Sequence, residues 1–263
     1  MSTLTITTIQ SNLFWEDKQA NMQMLQQKIE SITDKTEIVI LPEMFSTGFS
    51  MQPQLFAETM DGETMGWMKM LSNKNGIVLT GSVMIEEEGK YFNRLIWMLP
   101  NGQFGYYDKR HLFAYGEEDK HYSSGNKRLI ASVKGWKINL QVCYDLRFPV
   151  WARQQPKDGA PEYDVLIYVA NWPERRSHAW KTLLCARAIE NQCYVIGVNR
   201  VGDDAKNIHY SGNSLVIDPM GQVLYHMADE EDINTITLSK EKLEEVRTRF
   251  PFLNDADDFI INS

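Results

Sequence analysis

The sequence predicts an α/β protein built as a layered sandwich, in which mixed β-sheets are covered by helices. Apolar runs of strand length alternate along the chain with segments that repeat apolar residues every three or four positions, the spacing of an amphipathic helix. Two pairs of strand-like runs meet at tight turns, at residues 100–102 and 219–221. Because purely parallel sheets contain few such hairpins, we expect mixed sheets rather than a doubly wound fold.

The first half of the chain predicts a strand, a helix and a strand, followed by a second helix and a hairpin. "MSTLTITTIQ" alternates threonine with apolar residues, residues 16–33 have helical periodicity, and "EIVILPE" is a short apolar run. A helical segment near 62–74 precedes "IVLTGSVMI" and "YFNRLIWMLPNGQFGYY". The last of these contains two β-rich runs around a Pro-Asn-Gly turn, which indicates a hairpin.

The second half continues the alternation and ends in a second hairpin. "WKINLQVC" and "YDVLIYVAN" read as strands, a helix is predicted from about 176 to 192, and "CYVIGVN" follows it as a strand. "NSLVID" and "QVLYHM" flank the second turn. We expect one domain over 1–263, with 239–263 as a C-terminal helix and tail, although two small domains are an alternative.

Composition and charge narrow the class of partner. The formal net charge is -8 and no basic run is longer than the two residues of Arg175-Arg176, which disfavours nucleic-acid binding. The N-terminal stretch has neither the charged start nor the long apolar run of a signal peptide or membrane anchor, which predicts a cytoplasmic protein. Three cysteines without a CxxC pair make a disulfide scaffold or a structural zinc site improbable. We therefore expect reduced thiols and a small-molecule partner.

Three side chains at the ends of predicted strands are candidates for chemistry. Glu43 follows "IVILP", Lys109 follows "QFGYYD", and Cys143 follows "INLQV". Taken singly, each has an ordinary reading as a loop acid, a surface lysine or a small core residue. Together they supply a thiol that attacks, a carboxylate that moves protons and an ammonium that stabilises a thiolate or an oxyanion. The combination predicts a thiol hydrolase with Glu43 as the base.

The motifs around these residues resemble the nitrilase superfamily of carbon-nitrogen hydrolases. "LPEMFSTGF", "YYDKRHLF", "VCYDLRFP" and "RAIENQCYVIGVNR" occur in the order typical of that family, and "ANWPERR" and "GNSLVIDPMG" are similar to its later motifs. The resemblance covers most of the chain, to about residue 225. It implies a four-layer αββα sandwich with two mixed β-sheets, a homodimer formed through outer helices, and no metal or organic cofactor.

The resemblance also assigns roles to individual residues. It implies that Cys143 is the nucleophile, that Glu43 is the general base and acid, and that Lys109 stabilises the oxyanion with the backbone N–H of Tyr144. A second glutamate is common between the lysine and the cysteine in this family. In "YGEEDKHYSSG" the spacing favours Glu118, with the adjacent Glu117 as the alternative.

Within the superfamily, "LPEMFSTGF", "CYDLRFP" and "ANWP" look most like the omega-amidase branch, which hydrolyses the terminal amide of small 2-oxo acids such as 2-oxoglutaramate. Such an anion needs aromatic walls and cationic or amide donors. The candidates for this pocket are Phe45, Tyr115, Asn171, Trp172, Arg175 and Arg176. An N-carbamoyl or aliphatic amide hydrolase, or a catalytically silent binding protein on the same scaffold, is the alternative.

Three further residues receive structural predictions. Arg147 in "CYDLRFP" is predicted to pair with acids such as Asp145 and so to hold the loop after the nucleophile. Cys185 and Cys193 fall on an apolar helix and at the start of an apolar strand, so we expect both thiols to be packed. For the substrate carboxylate, Arg175 and Arg176 are the first candidates, and capping or solvation of the following helix is the alternative for both.

Overall fold

The computed structural model describes residues 2–156 and 160–261. These residues form two mixed sheets. The first sheet contains β1 (Thr3–Gln10), β2 (Ile38–Ile40), β3 (Val78–Glu87), β4 (Lys90–Met98), β5 (Phe104–Asp108) and β13 (Asp232–Ser239). The second contains β6 (Ile130–Val133), β7 (Trp136–Val142), β8 (Val165–Ala170), β9 (Tyr194–Asn199), β10 (Val201–Asp203), β11 (His209–Ile217) and β12 (Val223–Ala228).

Each sheet has a parallel centre and antiparallel edges. The first runs in the order β13-β1-β2-β3-β4-β5, and β1, β2 and β3 are parallel. The second runs β10-β11-β9-β8-β7-β6, with β7, β8 and β9 parallel and β12 on β11. The predicted hairpins are present as β4–β5 and β11–β12. The prediction of mixed sheets is therefore confirmed.

Helices cover the outer faces of both sheets. The helices are α1 (Lys18–Glu30), α2 (Pro53–Phe56), α3 (Glu63–Asn75), α4 (Glu118–His121), α5 (Pro149–Ala152), α6 (Ser177–Asn191) and α7 (Lys240–Arg249). Helix α1 begins after Asp17, whose carboxylate accepts a hydrogen bond from the N–H of Ala20 (3.0 Å) and so caps the helix.

Strand alternation divides the side chains of the first sheet between two cores. On β2, Ile38 and Ile40 point into the core between the sheets, whereas Val39 joins the core beneath α1 and α3. On the second sheet, α6 lies so close to β9 that a Cβ at Gly197 would lie 2.5 Å from Leu184, so only glycine fits there. The layers are thus helix, sheet, sheet and helix, and the predicted αββα sandwich is confirmed.

The C-terminal region adds a strand that the sequence analysis did not predict. Strand β13 pairs with β1 along its full length, from Thr3 opposite Ser239 to Gln10 opposite Asp232. Helix α7 follows it, and a 3-10 turn covers Phe252–Asp255. The predicted helix after residue 239 is therefore present, whereas residues 262 and 263 of the predicted tail lie outside the described residues. No helix in the described ranges is long and apolar enough to cross a membrane.

Candidate active site

Cys143 stands directly after β7 in a backbone conformation that exposes its side chain to a cavity. It is the first residue of a 3-10 turn over Cys143–Arg147, and its φ of 45° lies in the left-handed region, which residues other than glycine seldom adopt. Its side chain is only 8% exposed. A strained backbone of this kind persists only where surrounding contacts hold it.

Those contacts come from the buried carboxylate of Asp145. One oxygen accepts from the N–H of Val142 (3.1 Å) and from the hydroxyl of Tyr107 (2.8 Å). The other accepts from the backbone N–H of His111 (2.9 Å) and lies 2.8 Å from its ring Nδ1. These four contacts tie the turn that carries Cys143 to the strand before it and to the loop after β5.

Glu43 reaches the same region from the end of β2. Its Oε1 accepts hydrogen bonds from Lys109 Nζ (2.9 Å) and from Asn93 Nδ2 (2.8 Å). Its Oε2 accepts from the backbone N–H of Asn171 (2.7 Å), the first residue after β8. The carboxylate is fully buried, and the single donor on Oε2 leaves that oxygen able to accept one more hydrogen bond.

Lys109 is a buried ammonium between two carboxylates. Its Nζ donates to Glu43 Oε1 and to both oxygens of Glu118, at 3.0 and 2.8 Å. Burial by itself would lower the pKa of Lys109, but the charges of Glu118 and Glu43 outweigh it and the pKa is raised. The side chain is therefore charged at neutral pH. The alternative that Lys109 is an ordinary surface lysine is wrong.

Glu118 occupies the position of the predicted second glutamate, and Glu117 does not. Besides Lys109, Glu118 accepts from Asn93 Nδ2 (3.1 Å) and from the N–H of Phe113 (2.6 Å). Burial raises the pKa of the Glu118 carboxyl, yet each of these groups is a donor, an arrangement that fits a carboxylate. Glu117 lies at the surface, where it pairs with Lys120 (2.6 Å).

The thiol of Cys143 is neutral in the resting site. Burial, followed by the charge of Glu43, raises its pKa well above the usual range, and the opposing effect of Lys109 is smaller. Lys109 does favour the thiolate, as its charge predicts, but burial and the negative charges of Glu43 and Glu118 outweigh that effect. Glu43 is the carboxylate that contacts this thiol, and it raises the thiol pKa both by its charge and by a hydrogen bond.

Cys143 opens onto a cavity of about 160 Å³. Six of the predicted binding residues line it: Tyr144, Tyr115, Asn171, Trp172, Arg175 and Arg176. The sequence analysis missed several others, namely Phe49, Met51, Phe113, Arg147, Asp204, Lys206, Ile208 and Tyr210. The last four come from the turn that joins β10 to β11 and from the start of β11.

Phe45 is the exception among the predicted binding residues, and its assignment as a pocket wall is wrong. Its side chain is fully buried beneath α3, where its ring centroid lies 5.7 Å from that of Trp67. The ring also packs against strand β3 at Gly81, where a Cβ would lie 2.7 Å from a ring carbon of Phe45. Only glycine fits at that position of the strand. Four residues later, Phe49 lines the cavity with its ring 5.2 Å from Lys109 Nζ.

Arg147 also departs from its prediction. It does not pair with Asp145, whose oxygens are occupied by the donors described above. Its guanidinium lies 4.9 Å from the ring centroid of Trp172, half-buried and facing the cavity. Arg176 stacks similarly on Phe113 (5.0 Å), and its pKa is lowered by burial and by Arg175. In the described residues, the arginines that form ion pairs are Arg94, Arg128, Arg187 and Arg247.

Two buried asparagines that were not predicted from the sequence complete the site. Asn93, on β4, bridges Glu43 and Glu118. Asn199, at the end of β9, accepts from the N–H of Trp172 (2.8 Å) and donates to its carbonyl oxygen (2.9 Å). A polar residue inside an apolar strand, as in "YFNRLIW" and "VIGVN", is the signal that could have identified both.

The other two cysteines lie away from the cavity. Cys193 is buried in the core, where burial raises its pKa, and Cys185 is partly buried against the carbonyl of Gly221. All three cysteines are free. Across the ranges 2–156 and 160–261, no three His, Cys, Asp or Glu side chains are grouped as a metal site.

The sequence of this chain is similar to those of known proteins over most of its length. The model of the family described as "Carbon-nitrogen hydrolase" matches residues 5–248. The chain is 42% identical over 263 residues to an omega-amidase of Escherichia coli (strain K12), covering 98% of this chain and 99% of the relative. It is 32% identical over 254 residues to a 2-oxoglutaramate amidase of Bacillus subtilis (strain 168), covering 95% and 96%.

A solved structure extends the likeness to three dimensions. It is a CN-hydrolase superfamily protein from Xanthomonas campestris with an arsenic adduct in its active site. It is 44% identical to this chain, covers all of both chains and superposes with a TM-score of 0.97. On the matched domain, the ordered motifs and the fold, this chain belongs to the carbon-nitrogen hydrolase family of the nitrilase superfamily.

Proposed function

We propose that the protein hydrolyses the terminal amide of small 2-oxo acid omega-amides, such as 2-oxoglutaramate, to a carboxylate and ammonia. The observation that carries this proposal is the pair of half-buried guanidiniums, Arg147 and Arg176, that face the same cavity as the Cys143 thiol. A cation kept from water without an acid beside it favours an anionic ligand. The names of the omega-amidase and 2-oxoglutaramate amidase relatives support the same substrate class.

The chemistry follows from the contacts of the three reacting groups. Cys143 Sγ attacks the amide carbon while its proton passes to Glu43, and the carbonyl oxygen becomes an oxyanion beside Lys109 and the backbone N–H of Tyr144. Glu43 then gives the proton to the amide nitrogen, the C–N bond breaks, and ammonia leaves a thioester on Cys143. Water loses a proton to Glu43 and attacks the thioester, after which the proton returns to the departing sulfur.

Glu118 is a positioning residue in this scheme. Both of its oxygens accept from Lys109, and it is held in turn by Asn93 and by the N–H of Phe113. Two of the three N–H donors of Lys109 are thus directed by Glu118, and the third by Glu43. Glu118 therefore fixes the position of the Lys109 ammonium. An oxyanion can bind Lys109 only by sharing or displacing one of these contacts.

Arg176 is the better of the two predicted partners for the substrate carboxylate. It is half-buried, it is stacked on Phe113, and it lines the same cavity as Cys143. Arg175 also lines the cavity but is exposed to solvent. A guanidinium that is held in place and partly removed from water binds a carboxylate more strongly than an exposed one.

An ammonia-release assay over a panel of amides tests the proposal. The native enzyme should prefer 2-oxoglutaramate over neutral amides of equal length, and Arg176→Met should narrow that preference at least about tenfold, a ~1.4 kcal/mol effect. Arg176→Lys retains the positive charge and should retain most of the preference. Equal activity on neutral and anionic amides would contradict this substrate class, a preference for carbamoyl compounds would favour the N-carbamoyl alternative, and no release from any compound would favour a silent scaffold.

A second test concerns the proton carrier. Glu43→Gln retains the shape of the side chain but cannot cycle a proton, so kcat should fall by roughly 10²- to 10⁴-fold. Rapid-quench measurement of the first turnover should show slow acylation as well as slow deacylation, because the same carboxylate serves both steps. A variant with near-native kcat would remove Glu43 from the mechanism.

We further propose that the chain is one domain and acts as a homodimer in the cytoplasm. Support for an interface on the outer helix α6 comes from exposed apolar side chains there and on the neighbouring turn, Ile189 and Met220. Three free thiols, one of them a nucleophile, suit a reducing compartment. Light scattering on the purified protein should give about twice the 30.5 kDa mass of the chain.

A further inference from the structure

The cavity beside Cys143 has an unbalanced set of charges. Its cationic side chains are Arg147, Arg175, Arg176 and Lys206. Asp204 is the one acid among the lining residues that the structure describes. The two glutamates near the thiol lie at the reacting end, where Lys109 pairs with both. The charged side chains that a ligand meets on the cavity wall are therefore mainly positive.

The carboxylate of Asp204 accepts hydrogen bonds from the β10–β11 turn and from the start of β11. One of its oxygens accepts from the backbone N–H groups of Lys206 (2.8 Å) and Ile208 (2.9 Å). The other accepts from the hydroxyl of Tyr210 (3.1 Å). The side chain is buried apart from a small fraction, so the carboxylate shapes the β10–β11 turn and presents little acceptor surface to a ligand.

Arg147 is placed where it can act on the far end of a short substrate. It follows the nucleophile by four residues in the same 3-10 turn, and Trp172 holds its guanidinium by stacking. In a five-carbon amide attacked at one end, the carbon that carries the 2-substituent lies at the opposite end from the thiol. The guanidiniums that this carbon can meet in the cavity are those of Arg147, Arg175 and Arg176.

A 2-oxo group and a 2-ammonium group meet these guanidiniums differently. The keto oxygen is an acceptor and can take a hydrogen bond from a guanidinium N–H, whereas the ammonium has only donors and a positive charge. An ammonium in this cavity would be repelled by Arg147, and the carboxylate of Asp204 is already engaged by donors of its own turn and of Tyr210. A partly desolvated site strengthens such like-charge repulsion.

We propose that Arg147 makes the enzyme select 2-oxo acid amides against the corresponding 2-amino acid amides, so that glutamine is rejected by charge. This inference rests on the proposed function, since it presumes an acid amide as substrate. It assigns a specificity-determining role to a residue that the sequence analysis regarded as structural. Repulsion of the wrong substrate then accompanies attraction of the right one.

The test is the ratio of kcat/KM for 2-oxoglutaramate to that for glutamine. Arg147→Met keeps a long apolar side chain on Trp172 and removes the charge, and it should narrow the ratio at least about tenfold. Arg147→Lys keeps the charge and should hold the ratio within about threefold of the native value. The same comparison is made with 2-oxoglutarate and glutamate as competitive inhibitors, so that a ratio is obtained even where glutamine is not turned over.

Charge is separated from shape by a third compound, the 2-hydroxy analogue of glutamine, which has a neutral 2-substituent on the same tetrahedral carbon. The native enzyme should accept it much better than glutamine. Equal rejection of both, or a folded Arg147→Met with the native ratio, would overturn the role of Arg147. If Arg147→Met does not fold, the role of Arg147 is tested by the kcat/KM ratio of Arg147→Gln and by the native enzyme's activity on the 2-hydroxy analogue relative to glutamine.

These outcomes differ from a failure of the proposed function itself. If the native enzyme does not prefer 2-oxoglutaramate to neutral amides, the substrate class is wrong. If it does and removal of the Arg147 charge leaves the ratio unchanged, the substrate class stands and the selectivity has another source.

Discussion

Replacing Cys143 with alanine should abolish ammonia release while leaving the fold intact. Among the described residues that line the cavity, Cys143 carries the only thiol, so the substitution removes the atom that forms the thioester, and it deletes a single small group at a position next to an existing cavity. We expect the free energy of unfolding to change by no more than about 1–2 kcal/mol, the usual range for one buried small side chain. Circular dichroism and thermal unfolding measure the fold, and an ammonia assay measures turnover.

Cys193 offers a matched control for this variant. Its thiol is also buried, but it lies in the core of the second sheet. Cys193→Ala should therefore keep turnover. Acid quenching of the native enzyme during turnover should leave an added acyl mass on the peptide that contains Cys143. An acyl group on Cys185 or Cys193, or unchanged ammonia release by Cys143→Ala, would reassign the nucleophile.

Replacing Lys109 with methionine should damage both activity and stability. Loss of an oxyanion donor commonly lowers kcat by ~10²- to 10³-fold. The same change leaves Glu43 and Glu118 buried without their ammonium, and breaking a buried ion pair from one side costs roughly 3–5 kcal/mol of folding free energy. Chemical denaturation and steady-state kinetics measure the two effects separately.

A second substitution separates stability from catalysis at this site. Glu118→Gln in the Lys109→Met background removes one of the two unpaired charges, so it should recover part of the lost stability while kcat remains low. Buried carboxyls without a cation have raised pKa values, and protonation then favours the folded state. Lys109→Met should accordingly lose less stability at mildly acidic pH than at neutral pH. Recovery of kcat together with stability would mean that Lys109 serves only the fold.

The positions at which strands end were predictable because they depend on local pattern. "IVILPE", "GYYDK" and "LQVCY" each place a reactive side chain directly after an apolar run, and this alternation is legible without an alignment. Strand β13 was missed although "DINTITLS" alternates, because its role depends on pairing with β1, more than 200 residues away. Edge strands of this kind are specified by a partner rather than by their own sequence.

Whether a side chain lines the cavity depends on the direction in which it points. The pattern of residues along the sequence does not contain that direction. Phe45 and Phe49 are both aromatic and both follow Glu43, yet one packs under α3 and the other lines the cavity. Arg147 lies two residues from Asp145, but the hydroxyl of Tyr107 and the backbone N–H and ring Nδ1 of His111 already contact that carboxylate. The guanidinium therefore turns to Trp172.

By itself the sequence determined the α/β class, the order of most of its strands and helices, and the candidate thiol, carboxylate and ammonium, because each is encoded in local periodicity or in the chemistry of one side chain. The tertiary structure decided the electrostatic environment of those groups. Lys109 stays charged because Glu43 and Glu118 converge on it from two other segments, and Cys143 stays neutral because burial and those carboxylates outweigh one ammonium. Burial and Coulomb interactions depend on distance in space, and the fold alone sets that distance.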